Sequence, residues 1–84
     1  MNLQFTAQGW DDYLNWQQQD RAILKRINLL IRDTQRAPFE GIGQPEPLRF
    51  GLSGCWSRRV DLEHRLIYRV ADDTLLVLQC RYHY

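Results

Sequence analysis

The sequence predicts an α+β fold: a short first strand, two helices, an irregular segment, and then three antiparallel strands. Three observations carry this. Between Arg21 and Arg36 the apolar residues Ile23, Ile27, Leu30 and Ile31 recur at helical spacing. From Trp56 onward the pattern changes to alternation, with Trp56, Val60, Leu66 and Tyr68 apolar and Ser57, Arg59 and Arg65 polar between them. All three prolines and two of the five glycines fall in the stretch APFEGIGQPEP that separates the two patterns.

Taken in order, Asn2 to Phe5 reads as a strand with Leu3 and Phe5 on one side. Thr6 is placed to cap a helix running to about Gln18, in which Trp10, Tyr13, Leu14 and Gln17 fall on one stripe and form its expected core side. Asp11 and Asp12 favour its positive N-terminal end. Asp20 is the next cap, and the second helix carries a basic stripe of Arg21, Lys25, Arg32 and Arg36 whose simplest reading is a solvated face and whose sharper reading is a surface that meets RNA phosphate or an acidic protein. Pro38 ends that helix. The irregular segment reads as an ordered loop, with Glu46 between Pro45 and Pro47, which restrict the backbone on both sides. Gly51 and Gly54 bracket a turn. Strands are expected at about Cys55 to Val60, His64 to Val70 and Thr74 to Tyr82.

Register follows from the alternation. Even positions are expected in the core, including Leu76, Leu78, Cys80 and Tyr82 in the last strand, with Arg58 and Ile67 as exceptions. Even must then pair with even, so each connection needs an odd residue count or a bulge. Two-residue turns at Leu62-Glu63 or Asp72-Asp73 would break that register. If it holds, Arg59, Arg65, Arg81 and His83 share a face, and His64 lies on the opposite, buried one in a structural role.

The totals set limits. A chain of 84 residues is expected to be one domain, residues 1–84, with a single core that buries roughly 60 to 65% of its unfolded surface. No apolar run approaches the length of a membrane helix, and the N-terminus has no secretory pattern, so a cytoplasmic protein with no membrane partner is expected. Cys55 and Cys80 are expected to be buried thiols, too few for a disulfide scaffold and outside metal-type spacing. Net charge is only +1, which argues against coating nucleic acid through bulk charge. Its distribution is more informative. From Arg49 onward there are six arginines, no lysine and four acids, and those acids (Asp61, Glu63, Asp72, Asp73) all fall in expected turns. The strand faces are left cationic.

A face bearing Arg59, Arg65, Arg81 and His83, with Tyr84 at its end and Glu46 on a nearby loop, has the parts needed to cleave RNA without a metal or cofactor. The 2'-hydroxyl is the nucleophile, so the protein must remove its proton, protonate the leaving 5'-oxygen and stabilise a phosphorane. A carboxylate and an imidazole can divide the proton transfers, and planar guanidinium groups suit the phosphorane. Histidine titrates near neutrality, whereas Glu46 must be raised from about 4.3 to act as a base, or else mainly orients the hydroxyl. His64 and His83 lack metal-ligand spacing, and neither a nucleophile elbow nor a phosphate-binding glycine loop is present. From these residues alone, an RNA-binding module without chemistry fits equally well.

The segments WDDYLNW, RDTQRAPFEGIGQPEPLR, LSGCWSRRV, EHRLIYRV and CRYHY, in this order, resemble the YoeB/Txe toxins of the RelE-like superfamily. The resemblance implies a RelE-like fold, with a two-helix hairpin packed on a mainly antiparallel four-stranded sheet. It also implies a ribosome-dependent mRNA endonuclease that acts in the A site without a metal and shuts down translation. Glu46 of PEP then matches the general base, His83 of YHY the general acid, Arg65 of EHRL the arginine on the scissile phosphate, and Tyr84 a terminal positioning residue. Arg59 of WSRR matches a supporting phosphate contact, and Arg49 stands where the family often has lysine, beside Phe50-Gly51 where a more polar pair is usual. Arg49 and Arg81 join Arg59 as expected substrate contacts. The implied partners are a YefM-type antitoxin, the ribosome with its mRNA, and a second copy in a homodimer. Two other readings compete: a toxin of the same superfamily acting on a protein such as DNA gyrase, and a non-catalytic RNA-binding module. Neither requires Glu46, Arg65, His83 and Tyr84 together.

Overall fold

The computed structural model describes residues 1–52 and 54–82. β1 (Asn2–Phe5) leads into α1 (Ala7–Gln19) and α2 (Arg21–Arg36), followed by β2 (Glu46–Pro47), β3 (Trp56–Arg59), β4 (Arg65–Ala71) and β5 (Thr74–Gln79). The strands form one sheet in the order β1-β5-β4-β3-β2. β1 runs parallel to β5, and the other neighbours are antiparallel. The sheet thus has five strands where the sequence predicts four. The addition, β2, comes from the segment read as loop: Pro45 and Pro47 hold Glu46 extended, and Glu46 and Pro47 pair with Ser57 and Trp56.

Both helix caps form as the sequence predicts. The Thr6 hydroxyl accepts from the Gly9 N–H at 3.0 Å, and Asp20 accepts from the N–H groups of Ala22 and Ile23. The second helix buries Ile27, Leu30, Ile31 and Thr34, in keeping with its expected stripe. The first is rotated from expectation. Gly9, Asp12 and Trp16 are buried, while Trp10 and Leu14 are exposed. Gly9 explains the rotation, because α1 lies so close to β5 that a Cβ at this position would sit 2.5 Å from the Val77 carbonyl oxygen. Trp10 instead joins Phe5 and Tyr13 in an aromatic group beside β1.

Even positions of β3 and β4 face the helices as expected. Leu66 and Tyr68 pack with Ile27, Leu30 and Trp16 in the main core. Odd positions are not all exposed: Ile67 is buried with Leu48 and Cys55 in a second cluster on the other face, beneath the segment that follows β2. In β5 the expected parity is reversed. Leu75 and Val77 are fully buried in the main core, whereas Leu78 packs against the second cluster. The cause is a two-residue turn, with Asp72 and Asp73 at φ 52° and 55°, that places Ala71 opposite Thr74 and Tyr68 opposite Val77. A bulge at Ile67/Tyr68 then adds a residue, so Ile67 lies opposite Gln79 and odd faces odd again.

Arg58, an apparent exception to alternation, is fully buried on the core face. Its guanidinium donates to Asp33 Oδ2 at 2.8 Å and to the carbonyls of Ile42, Ala37 and Glu40 at 3.1, 2.6 and 2.9 Å. Its Nε donates to the Tyr68 hydroxyl at 3.2 Å, which in turn donates to the Pro38 carbonyl at 2.7 Å. One arginine therefore ties the segment after α2 to the sheet and helps set the path that delivers Glu46.

Candidate functional site

Sheet register assembles the site. Cross-strand partners point to the same side, so Glu46, Ser57 and Ile67 form one row and Arg59 and Arg65 the next, all on the face away from the helices. Ser57 and Ile67 are buried and form the floor, whereas Glu46 and Arg59 are exposed. Glu46 is diagonal to Arg59, about 7–8 Å away between Cα atoms. β2 is what places this carboxylate next to the arginines.

The arginines differ in setting. Arg59 and Arg65 are direct cross-strand neighbours, so two like charges sit side by side, an arrangement that is unfavourable unless an anion comes between them. The Arg65 Nε is buried without a hydrogen-bond partner. Among the described residues no carboxylate forms an ion pair with Arg49, Arg59, Arg65 or Arg81; the arginine–carboxylate pairs present are Asp33 with Arg36 and Arg58. Buried donors aimed at nothing are costly, and they suit a ligand that brings oxygen acceptors. Arg81 is held by aromatic rings, its guanidinium 4.7 Å from the Tyr82 ring centre and 6.0 Å from that of Trp16, with a buried, unpartnered Nε. Arg49 and Phe50 line a shallow concavity with Glu46, Pro47 and Leu48. Phe50 is 90% exposed.

His83 and Tyr84 lie outside the described residues. Side chains hold the backbone that precedes them. Cys80 donates its N–H to Asp12 Oδ2 at 3.1 Å and accepts from Trp16 Nε1 at 2.9 Å. Burial, with the Asp12 charge nearby, pushes the Cys80 thiol up to about 12, so it is no nucleophile; Cys55 is likewise a free, buried thiol. Tyr82 donates its N–H to His64 Nδ1 at 2.7 Å and accepts from the Arg65 N–H at 3.0 Å. His64 is buried, as its position predicts. Its bond to Tyr82 was not legible, because the residues are 18 apart and no spacing rule joins them. Arg58 left a signal: an arginine at an even position in this alternation must lie on the core face and find acceptors there. Among the described residues no three His, Cys, Asp or Glu side chains come together to hold a metal ion.

The sheet, with the helix pair on one face and the arginine pair on the other, has the RelE-like arrangement, and comparison with known proteins narrows this further. Residues 5–84 match the family model described as the YoeB-like toxin of bacterial type II toxin-antitoxin systems. The chain is 60% identical to Toxin YoeB of Escherichia coli K12 and 55% identical to Toxin YoeB of Streptomyces coelicolor, over the full length of each chain. In structure it is similar to a YoeB/ParE toxin from Agrobacterium tumefaciens, with TM-score 0.97, 49% identity and complete coverage of both chains. It is also similar to the toxin in a YoeB-YefM complex from Staphylococcus aureus, with TM-score 0.92, 41% identity, and coverage of 100% of this chain and 98% of the other. The chain belongs to the YoeB-like toxins of bacterial type II toxin-antitoxin systems.

Proposed function

We propose that this toxin is a ribosome-dependent mRNA endonuclease that cuts in the A site and is held in check by a YefM-type antitoxin. The observation that carries the proposal is the Arg59–Arg65 pair, without carboxylate partners among the described residues and one strand from Glu46 on the same face.

In the proposed reaction, Glu46 accepts the 2'-hydroxyl proton or orients that hydroxyl, and the 2'-oxygen attacks the adjacent phosphorus. Arg65, with Arg59 in support, stabilises the added negative charge of the phosphorane through paired N–H donors. His83 donates a proton to the departing 5'-oxygen, and Tyr84 helps position the phosphate. One P–O bond forms as another breaks, leaving a 2',3'-cyclic phosphate and a 5'-hydroxyl. The nucleophile belongs to the RNA, so the proposed chemistry needs no cofactor. Arg49 beside Glu46 and Arg81 beside Tyr82 extend the cationic surface along the mRNA backbone.

The ribosome supplies the bound, extended mRNA and places the proposed site in the cytoplasm. A partner with an acidic, amphipathic segment suits the same arginine face. Solved relatives from Staphylococcus aureus include a YoeB-YefM complex and a YoeB dimer, and both kinds of assembly are proposed here. Expression of the toxin should arrest growth. Arg65→Ala and His83→Gln should each relieve the arrest while the variant proteins still fold and bind a YefM-type antitoxin. Full arrest by either variant at equal protein levels would overturn the assignment.

A further inference from the structure

We propose that His64 is a positioning residue for the proposed cleavage: it holds Tyr82 in a left-handed conformation and so fixes the point from which the chain continues to the proposed acid. This rests on the catalytic role proposed above for His83.

The regular ladder of β5 ends at Gln79, and side chains take over from it. Asp12 and Trp16 of α1 hold the backbone N–H and carbonyl of Cys80. At Tyr82 the backbone turns to φ 63°, a left-handed value that is unfavourable for a non-glycine residue. Such strain persists only where the surroundings impose it. Here both backbone polar groups of Tyr82 are pinned by consecutive residues, its N–H by His64 Nδ1 at 2.7 Å and its carbonyl by the Arg65 N–H at 3.0 Å. Arg65 is thus tied through its own backbone to the segment that delivers the proposed acid.

His64 is itself held firmly. Its N–H donates to Asp61 Oδ1 at 2.7 Å and its carbonyl accepts from the Val60 N–H at 3.0 Å. Its ring meets Trp16 edge-on at 4.7 Å and Tyr82 at 5.4 Å between centroids. With Nδ1 accepting from Tyr82, the ring proton lies on Nε2, which is 3.4 Å from Glu63 Oε1. The imidazole therefore acts as a fixed acceptor, buried away from the substrate face. An asparagine side chain can present its Oδ1 near the position of Nδ1, whereas leucine cannot accept at all.

The test is single-turnover mRNA cleavage on preformed toxin–ribosome complexes, with ribosome affinity measured separately. His64→Leu should cut about 10- to 100-fold more slowly at unchanged ribosome affinity, as expected when a reacting group is misplaced by about an ångström. His64→Asn should restore most of the rate. Tyr82 is exposed, so variants there give a second test that does not depend on His64→Leu folding. Tyr82→Pro, which removes the N–H and locks φ near −65°, should lose cleavage, and Tyr82→Gly should keep far more of it. In the wild-type protein, a scalar coupling between the Tyr82 amide nitrogen and His64 Nδ1 should report the bond directly. A missing coupling, or wild-type cleavage by folded His64→Leu or by Tyr82→Pro, would overturn the inference. His83→Gln run in parallel separates the two claims: if it still cuts, the catalytic reading itself fails; if it is dead while those variants cut normally, only the role of His64 falls.

Discussion

Arginines of one short strand do opposite work because of the side they face. Arg58 is fully buried among fixed acceptors, and Arg59, the next residue, points to the other side beside Arg65. Replacing Arg58 with methionine should cost about 1–3 kcal/mol, since the carbonyls of Ala37, Glu40 and Ile42 lose their side-chain donor while Asp33 keeps Arg36 and the Ile42 N–H; denaturant unfolding would measure it, and a loss well under about 1 kcal/mol would show that the network is not structural. On the substrate face the effect should fall on rate instead. Arg65→Ala should slow cleavage by about 10²–10³-fold, the usual cost of a lost donor to a developing oxyanion. Arg59→Ala should cost less. Equal or reversed effects would remove the distinction between principal and supporting contact. Arg59 and Arg65 were legible from alternation, but the buried role of Arg58 depends on carbonyls from 37–42 that no local pattern places beneath it.

Among the elements, α1 shows where local reasoning stops. Its cap, span and following cap are visible in Thr6, the helical run and Asp20, whereas its rotation is set by Gly9 against Val77, a contact between distant parts of the chain. Gly9→Ala makes this measurable. Alanine favours an isolated helix by about 1 kcal/mol over glycine, but here its Cβ meets a backbone oxygen and α1 must lift from β5. A net loss of about 1–2 kcal/mol is expected from the overpacking, and a more stable variant would refute the close approach. The reversed parity of β5 has a similar origin. Asp72 and Asp73 mark a turn in the sequence, but its two-residue length and the bulge at Ile67/Tyr68 are settled by pairing across the sheet. β2 escaped notice because two residues are too short to show any alternation.

At the scale of the whole molecule, Asp33 joins α2, the following segment and the sheet. Hydrogen bonds from Arg36, the Ile42 N–H and Arg58 hold its carboxyl well below the usual carboxylate range. A lowered folded value means that this contribution to stability is present above the unfolded value near 3.9 and is lost as pH falls below it toward the folded value. The wild type should therefore lose stability below about pH 4 more steeply than Asp33→Asn, and the gap between them should narrow with acid. Parallel slopes in pH-dependent denaturation curves would contradict this. The same framework holds the route to Glu46, so fold and site are linked through Asp33 and Arg58.

The most direct test of the central claim is primer extension on an mRNA translated in a purified system, with and without ribosomes, comparing wild type with His83→Gln. Discrete cuts within A-site codons that require ribosomes and disappear in the variant are the predicted result. Blocked translation with intact mRNA would contradict the account and leave a toxin that binds its target without cutting RNA.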